Sequence, residues 1–548
     1  MKRLTVLLLL LAILATGLAS CGPKKPAATE TTTEKESEET TDKYVDIGGE
    51  VRALSAADRS FKIEMSDFRN AEKDSKNDIY LAGPDAREGA SSIGQKIYDR
   101  NKRAEELLGV SVEYLYWDQY GWEAQAPEIY KLVSTKAADA PDVFVNMIFD
   151  LGNATMQGCF KDLWSIPGSY FDFNAEGWMT DWMKNMSLTG DRAYILAGDY
   201  FLDLVRAFGV LPFNATMMDA NASKLAPALF GGEGLAAGET MSQRFFDFVE
   251  DGNWTWDALG KLSEAVWDDK GTAGQTDIYD TLGILGDARS GMTTSFYLYS
   301  SGAALFESDT KDGKAWIKYP EQSTALGGIF DAVAGVFSGD GALATNAPSD
   351  GGASPTNPSV EYHWLKFGEG GTLFAGACVL GAMEDDAFQQ MADLYSVVPL
   401  PKVSANNQYN TIIHNVGDTG AINVNVGAGK AKALSAYLQF LNEKSDKIRE
   451  EFLEIVTKYK TTVYNQGTDR MLDLIYESVV NGRDKAIEDL MRLDSTCKGM
   501  QWHNYMKKDG RLDHDSSYIA TDYAAARDAK QAFLDSILET WYGLPKAE

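Results

Sequence analysis

Apolar residues recur along this chain at helix and strand spacings, and the order of those spacings is the first guide to its architecture. Ile93, Ile97, Ala104, Leu107 and Leu108 fall mostly on one helical face, and Gly109 is placed to end that helix. Val110 to Trp117 follows as an aromatic, β-favouring run. Ile129, Leu132 and Val133 mark a second helix, and Asp142-Val143-Phe144-Val145-Asn146 a short buried strand. Strands alternating with helices imply a parallel sheet covered on both faces.

Farther along the class stays the same. Asp251-Gly252-Asn253-Trp254-Thr255-Trp256-Asp257 reads as a turn and a Thr or Asp N-cap, leading into a helix that carries Leu259, Leu262 and Val266. Lys311-Asp312-Gly313-Lys314 between two apolar runs is a hairpin signal. The stretch 338–359, rich in small and turn-forming residues, reads as a surface loop. Beyond Gly429 the pattern is helical: Leu434, Tyr437, Leu438 and Leu441, then Met471, Leu474 and Ile475, then Phe533, Ile537 and Trp541. There is no internal repeat of solenoid period.

The N-terminus changes the picture. Met1-Lys2-Arg3 precedes an almost wholly apolar run from Leu4 to Ala15, the layout of a secretory signal and too short for a resident membrane span. Leu18-Ala19-Ser20-Cys21 then resembles the bacterial lipobox, in which the cysteine thiol is diacylated before cleavage; a plain secretory signal with an incidental cysteine is the alternative. Two acyl chains hold a protein on a membrane far better than one. From Gly22 to Lys43 no Leu, Ile, Val, Met or aromatic residue occurs, so this segment is a solvated tether; signal and tether are placed at 1–20 and 21–46. The remainder of the 548 residues suffices for more than one lobe, with 44% hydrophobic and 11% aromatic residues over the whole chain. A formal net charge of -29 argues against nucleic acid as a partner. Cys159, Cys378 and Cys497 are widely spaced and read as buried free thiols.

Several stretches together look like the extracellular solute-binding protein family 1, the sugar-binding group that includes maltose-binding proteins. They are Asp142-Val143-Phe144 followed by a helix ending Phe160-Lys161-Asp162-Leu163; Arg192-Ala193-Tyr194-Ile195-Leu196-Ala197-Gly198-Asp199; Val210-Leu211-Pro212-Phe213-Asn214; Gly252 to Asp257; and Tyr395-Ser396-Val397-Val398-Pro399-Leu400-Pro401-Lys402. Ala215 departs from the family's lysine after the asparagine. The resemblance implies the α/β two-lobe periplasmic-binding-protein fold of type II, with discontinuous lobes, parallel-rich sheets flanked by helices, three crossings and a hinge. Mapped onto this chain, the crossings fall near 206–213, just before 370, and around 411–425. One lobe is then 47–206 with 368–412 and the other 207–367 with 413–548.

A sugar presents hydroxyls on its rim and C–H groups on its faces, so a receptor needs planar hydrogen-bonding groups and aromatic platforms. Asn146 and Asp150 lie just past a parallel strand, where open α/β sheets place ligands; an N-cap and a first-turn carboxylate are the structural alternative. Asp199, Tyr200 and Arg206 flank the first crossing, with a hinge-stiffening ion pair the other role for Arg206. Phe296 and Tyr297 stand where the resembling proteins place a second-lobe aromatic, although core packing is the commoner use of such rings. His414 lies near the third crossing as a ligand donor or a structural histidine, and Trp178 and Trp182 are expected to line a lobe seam.

HExxH, GxSxG and GxxxxGK[ST] motifs are missing, and the four histidines, at 363, 414, 503 and 514, have no metal-like spacing. Asp509, Asp513 and Asp515 lack the full rhythm of a calcium loop. The expectation is a non-enzymatic monomer without cofactor or metal, anchored through Cys21 on the extracytoplasmic face of the cell membrane. It captures a sugar for an ABC permease and, through that permease, a cytoplasmic ATPase. A surface glycoside hydrolase, which needs two carboxylates flanking a cleft, is the alternative.

Overall fold

The computed structural model describes residues 43–66, 92–117, 125–288, 291–319, 324–345, 347, 353–359, 362–461, 465–479, 482–491, 507–508, 511–512 and 516–544. Cys21, Cys497, His503, His514, Asp509, Asp513 and Asp515 lie outside the described residues.

In chain order the strands used below are β1 (Ser60–Ser66), β2 (Ser111–Trp117), β3 (Val143–Met147), β4 (Gly209–Asn214), β5 (Leu282–Asp287), β6 (Glu307–Lys311), β7 (Lys314–Lys318), β8 (Ala342–Thr345), β9 (Thr372–Phe374), β10 (Cys378–Val379), β11 (Tyr395–Val398) and β12 (Asp418–Ile422). The first sheet has the order β12-β3-β1-β2, with β1 parallel to both β2 and β3 and β12 antiparallel on the outside of β3. Phe61, Ile63 and Met65, alternating along β1, are buried on one face; on that face Phe61 meets Tyr437 of the helix Ala428–Glu443 at 6.0 Å. The second sheet has the order β10-β4-β9-β5-β8 with β11 also on β4; β5 runs parallel to β8 and β9. One continuous apolar cluster runs through both lobes. The α/β class with two sheets flanked by helices is therefore what forms, the first sheet mostly parallel and the second joining a parallel part around β5 to antiparallel partners of β4.

The lobe limits differ from expectation. Strands β9, β10 and β11 pair into the second sheet, whereas β12 pairs with β3 and the helix after it packs on the first. Segment 368–412 thus supplies strands to the second lobe, and 413–443 belongs to the first. The crossings move accordingly. The first is at 207–209, the second lies between β11 and β12, and the third runs through the helix Asp446–Thr461. That helix carries an ion pair between Lys96 and Glu451 on the first lobe and packs against β11 of the second. The first two crossings pair with each other: Gly209 N donates to Ile412 O at 2.8 Å and His414 N to Ala207 O at 2.9 Å.

Local signals survive well. The helix Ser92–Leu108 ends at Gly109 with φ +67°, and Thr255 caps the helix Trp256–Val266 by accepting from Ala258 N at 3.3 Å. Asp312 and Gly313, at φ 53° and 75°, make the two-residue turn between β6 and β7. Within the expected loop 338–359 the short strand β8 forms instead, because its small side chains fit a mostly buried parallel ladder beside β5. Cys159 and Cys378 are buried free thiols.

The expected tether also ends sooner. Lys43–Arg52 is a helix whose Tyr44 is fully buried, its ring 4.7 Å from Phe440 and its hydroxyl donating to Glu443 at 2.9 Å. Tyr44→Ala should cost about 3–5 kcal/mol in urea unfolding and Tyr44→Phe about 1 kcal/mol. A Tyr44→Ala chain as stable as its parent would show that this helix is no part of the first lobe's core.

Candidate functional site

Strand β3 is buried at all five positions, so its polar member, Asn146, must find partners inside the protein. Its Oδ1 accepts from the next amide, Met147 N, at 2.9 Å. The chain then turns into the helix Ile148–Met156, and two of its first free amides are used at once: Ile148 N donates to Gly417 O at 3.0 Å and Phe149 N to Asn415 O at 3.1 Å. The second crossing therefore caps the helix that follows β3. Asp150, in the first turn, accepts from Gln125 N at 3.3 Å and Ala126 N at 3.0 Å, capping the neighbouring helix Ala126–Ser134 from outside its own sequence.

Beside them stands Glu64 of β1, opposite Phe144 in register and wholly buried. Neither of its carboxyl oxygens meets a donor at full hydrogen-bond geometry, the Asn146 amide and the Val145 backbone N–H being its nearest partners. Burial, with the Asp418 and Asp150 charges adding to it, pushes this carboxyl well above the ordinary range. Glu64, Asn146, Asp150 and Asp418 thus form one polar group at the carboxyl ends of β1 and β3, against the second crossing. A neutral Glu64 both donates and accepts, and the two aspartates accept. The sequence does carry a trace of Glu64, since it lies on the polar side of an alternating strand, but that alternation reads as solvent-facing.

A second gathering lies on the crossings themselves. Phe296, from the helix Gly291–Tyr299, meets His414 edge-on at 5.9 Å, and a Cβ on Gly209 would touch the Phe296 ring at 3.0 Å. Arg206 sits one residue before the first crossing, bonding Asp203 at 3.1 Å and Glu384 at 2.7 Å. It is the hinge ion pair offered as its alternative role. Asp203 also accepts from Asp418 N at 2.8 Å, which ties this pair to the Glu64 group.

The other expected residues stand apart. Asp199 is held by Arg449 and by the Tyr476 hydroxyl at 3.0 Å, and burial raises its carboxyl to about 6 despite the arginine. Tyr200 packs under Trp178 at 5.5 Å, and its hydroxyl accepts from Gly420 N at 2.9 Å. Tyr297 turns into the second lobe's core against Trp256 at 5.3 Å. Trp178, expected at a lobe seam, precedes the helix Thr180–Met186 and packs inside the first lobe against Phe171 and Phe173. Among the described residues no group of three metal-ligating side chains converges.

No protein-family profile and no curated protein matches this chain. Among solved structures it is similar to an ABC substrate-binding protein from Listeria monocytogenes in complex with cycloalternan, at 13% identity, TM-score 0.44, covering 89% of this chain and 99% of that one. It is similar also to the GacH receptor of Streptomyces glaucescens, solved unliganded and with acarbose, at 14% identity, TM-score 0.44, covering 87% of this chain and 98% of that one. Maltose-bound MalE3 of T. maritima is similar at 12% identity, TM-score 0.42, covering 88% of this chain and 99% of that one.

The Glu64 carboxyl predicts a pH signature. With its folded value raised, the native state keeps a proton that the unfolded chain releases above its ordinary value of 4.5. The contribution of Glu64 to stability is then full below that value and declines as pH rises toward the folded one. Glu64→Gln should remove this decline, stabilising the protein by about 1–3 kcal/mol at pH 8 and changing little at pH 4 in denaturant titrations. Equal effects at both pH values would refute a buried, neutral Glu64.

Proposed function

We propose that this chain is a lipid-anchored, extracytoplasmic solute-binding protein that captures a carbohydrate between its lobes and hands it to an ABC importer. The observation that carries the reading is the convergence of first-lobe strand ends, polar side chains and paired crossings. Glu64, Asn146 and Asp150 stand at the carboxyl ends of β1 and β3, against the crossing segment that leads to the second lobe. Open α/β sheets bind ligands at that end, and a hinge beside it lets binding and closure be one event. Carboxyl and amide groups suit hydroxyl-rich solutes. The lipobox-like Leu18-Ala19-Ser20-Cys21 and the apolar-free stretch after it support the anchor. Glu64 also has the raised carboxyl that a glycosidase acid needs, which keeps hydrolysis as the second reading.

A panel of neutral mono- and oligosaccharides should separate the two. A binder is stabilised saturably, by about 2.7 kcal/mol at a hundredfold excess over Kd, and compacts in small-angle scattering without releasing reducing ends. Turnover would replace the receptor reading with the hydrolase one. Separately, Cys21→Ala should move the protein from the membrane to the soluble fraction. Retention of that variant through high-salt washing would refute the anchor.

A further inference from the structure

The helix Ser516–Gly543 ends against both lobes at once. On the second-lobe side it packs on the helix Thr324–Phe337 and on the β6–β7 hairpin. There Trp316 Nε1 donates to Asp535 at 2.7 Å, and the Tyr542 hydroxyl donates to Ala315 O at 2.8 Å. The Trp316 and Tyr542 rings lie parallel, 6.0 Å apart. On the first-lobe side, Trp541 is buried with its ring edge-on to Tyr194 at 5.3 Å. Its indole N–H donates to Thr189 at 2.9 Å, and its carbonyl accepts from Arg192 at 3.1 Å. The segment carrying Thr189, Arg192 and Tyr194 belongs to the first lobe, since Ala193 N bonds Asp162 at 3.1 Å and Leu196 N bonds Gly420 O of β12 at 2.8 Å.

Adjacent residues of one helical turn therefore reach both lobes, Trp541 the first and Tyr542 the β6–β7 hairpin as well as Arg192 of the first lobe at 5.5 Å, at a place remote in sequence from the crossings described above. We infer that this helix is a strap that holds the two lobes in register, so that interlobe motion requires one of its two attachments to let go. A helix is stiff along its length and cannot absorb a rigid-body rotation between its two sets of contacts. The inference rests on the two-lobe reading above, but it concerns the ligand-free molecule and requires no particular solute.

The test is the interlobe distance without ligand. Nitroxide labels at Lys131 of the first lobe and Lys261 of the second, both largely exposed, report it in a full-length chain carrying Cys497→Ser. Trp541→Ala should shift or broaden the distance distribution by more than about 2 Å, the scale of a domain rearrangement. Trp541→Phe, which keeps a ring against Tyr194 but loses the indole N–H, should give a smaller change and serves if the alanine variant does not fold. Asp535→Ala loosens the opposite attachment and should act in the same direction. Combining it with Trp541→Ala should add little, because a strap freed at one end is already free. An unchanged distribution in a cooperatively unfolding Trp541 variant, or strictly additive shifts, would overturn the strap. Ligand binding is read separately by thermal shift on the same proteins, so a failed sugar panel leaves this outcome intact.

Discussion

Two short stretches of backbone, 207–209 and 412–414, hydrogen-bond to each other where the chain passes between lobes, and most of the architecture follows from that pairing. The first stretch runs straight into β4, the spine of the second sheet, and the second leads to β12 at the edge of the first. Because peptide groups buried away from water must be paired, the crossings cannot drift apart without exposing or orphaning them. Phe296 fills the space above Gly209, where a Cβ would already be in tight contact. Arg206 then ties the first crossing to Asp203 and Glu384, and Asp203 reaches across to Asp418 N at the start of β12. Position and charge are set together, and the polar group at the ends of β1 and β3 inherits its place from them.

The buried charges around this junction differ in how they are settled. Arg206 has two carboxylates, Asp199 has an arginine and a phenol, and Asp489 is held by Lys485 and by Asn415 of the second crossing at 3.1 Å. These are compensated, and their value lies in fixing geometry more than in raising stability. Glu64 is different in kind. Its neighbours Asp150 and Asp418 carry the same sign, and the inexpensive solution is to hold a proton. A carboxyl kept neutral inside a protein is a latent hydrogen-bond donor where an ionised one could only accept.

Much of the fold was legible in the sequence wherever the signal was local. Gly109 ending a helix, Asp312-Gly313 turning a hairpin and Thr255 capping the helix that follows all act over three or four residues. Which sheet a strand joins is another matter. Sequence pattern places the run at 372–398 in the first lobe and that at 418–422 in the second, whereas pairing with β4 and β3, far away in the chain, puts each in the other sheet. The site shows the same division. Asn146 and Asp150 are singled out by sequence because they stand around the end of a parallel strand. Glu64 has no such signal, since alternation along β1 assigns it to solvent, whereas it is wholly buried beside Asn146, Asp150 and Asp418. Phe296 and His414 do come together, but at the crossings, and Tyr297 one position on faces the opposite way.

The small helix Lys43–Arg52 carries a mechanical meaning. Tyr44 and the Lys43–Glu443 pair, at 2.6 Å, fasten it to the helix Ala428–Glu443, and Arg52 bonds the carbonyls of Glu106 and Leu107. Every one of these partners lies in the first lobe. Tension applied to the chain ahead of Lys43 therefore enters through that lobe first, as shear along two packed helices. Any load on the N-terminus would enter the molecule through the first lobe, and the second lobe would meet it only through its joints with the first.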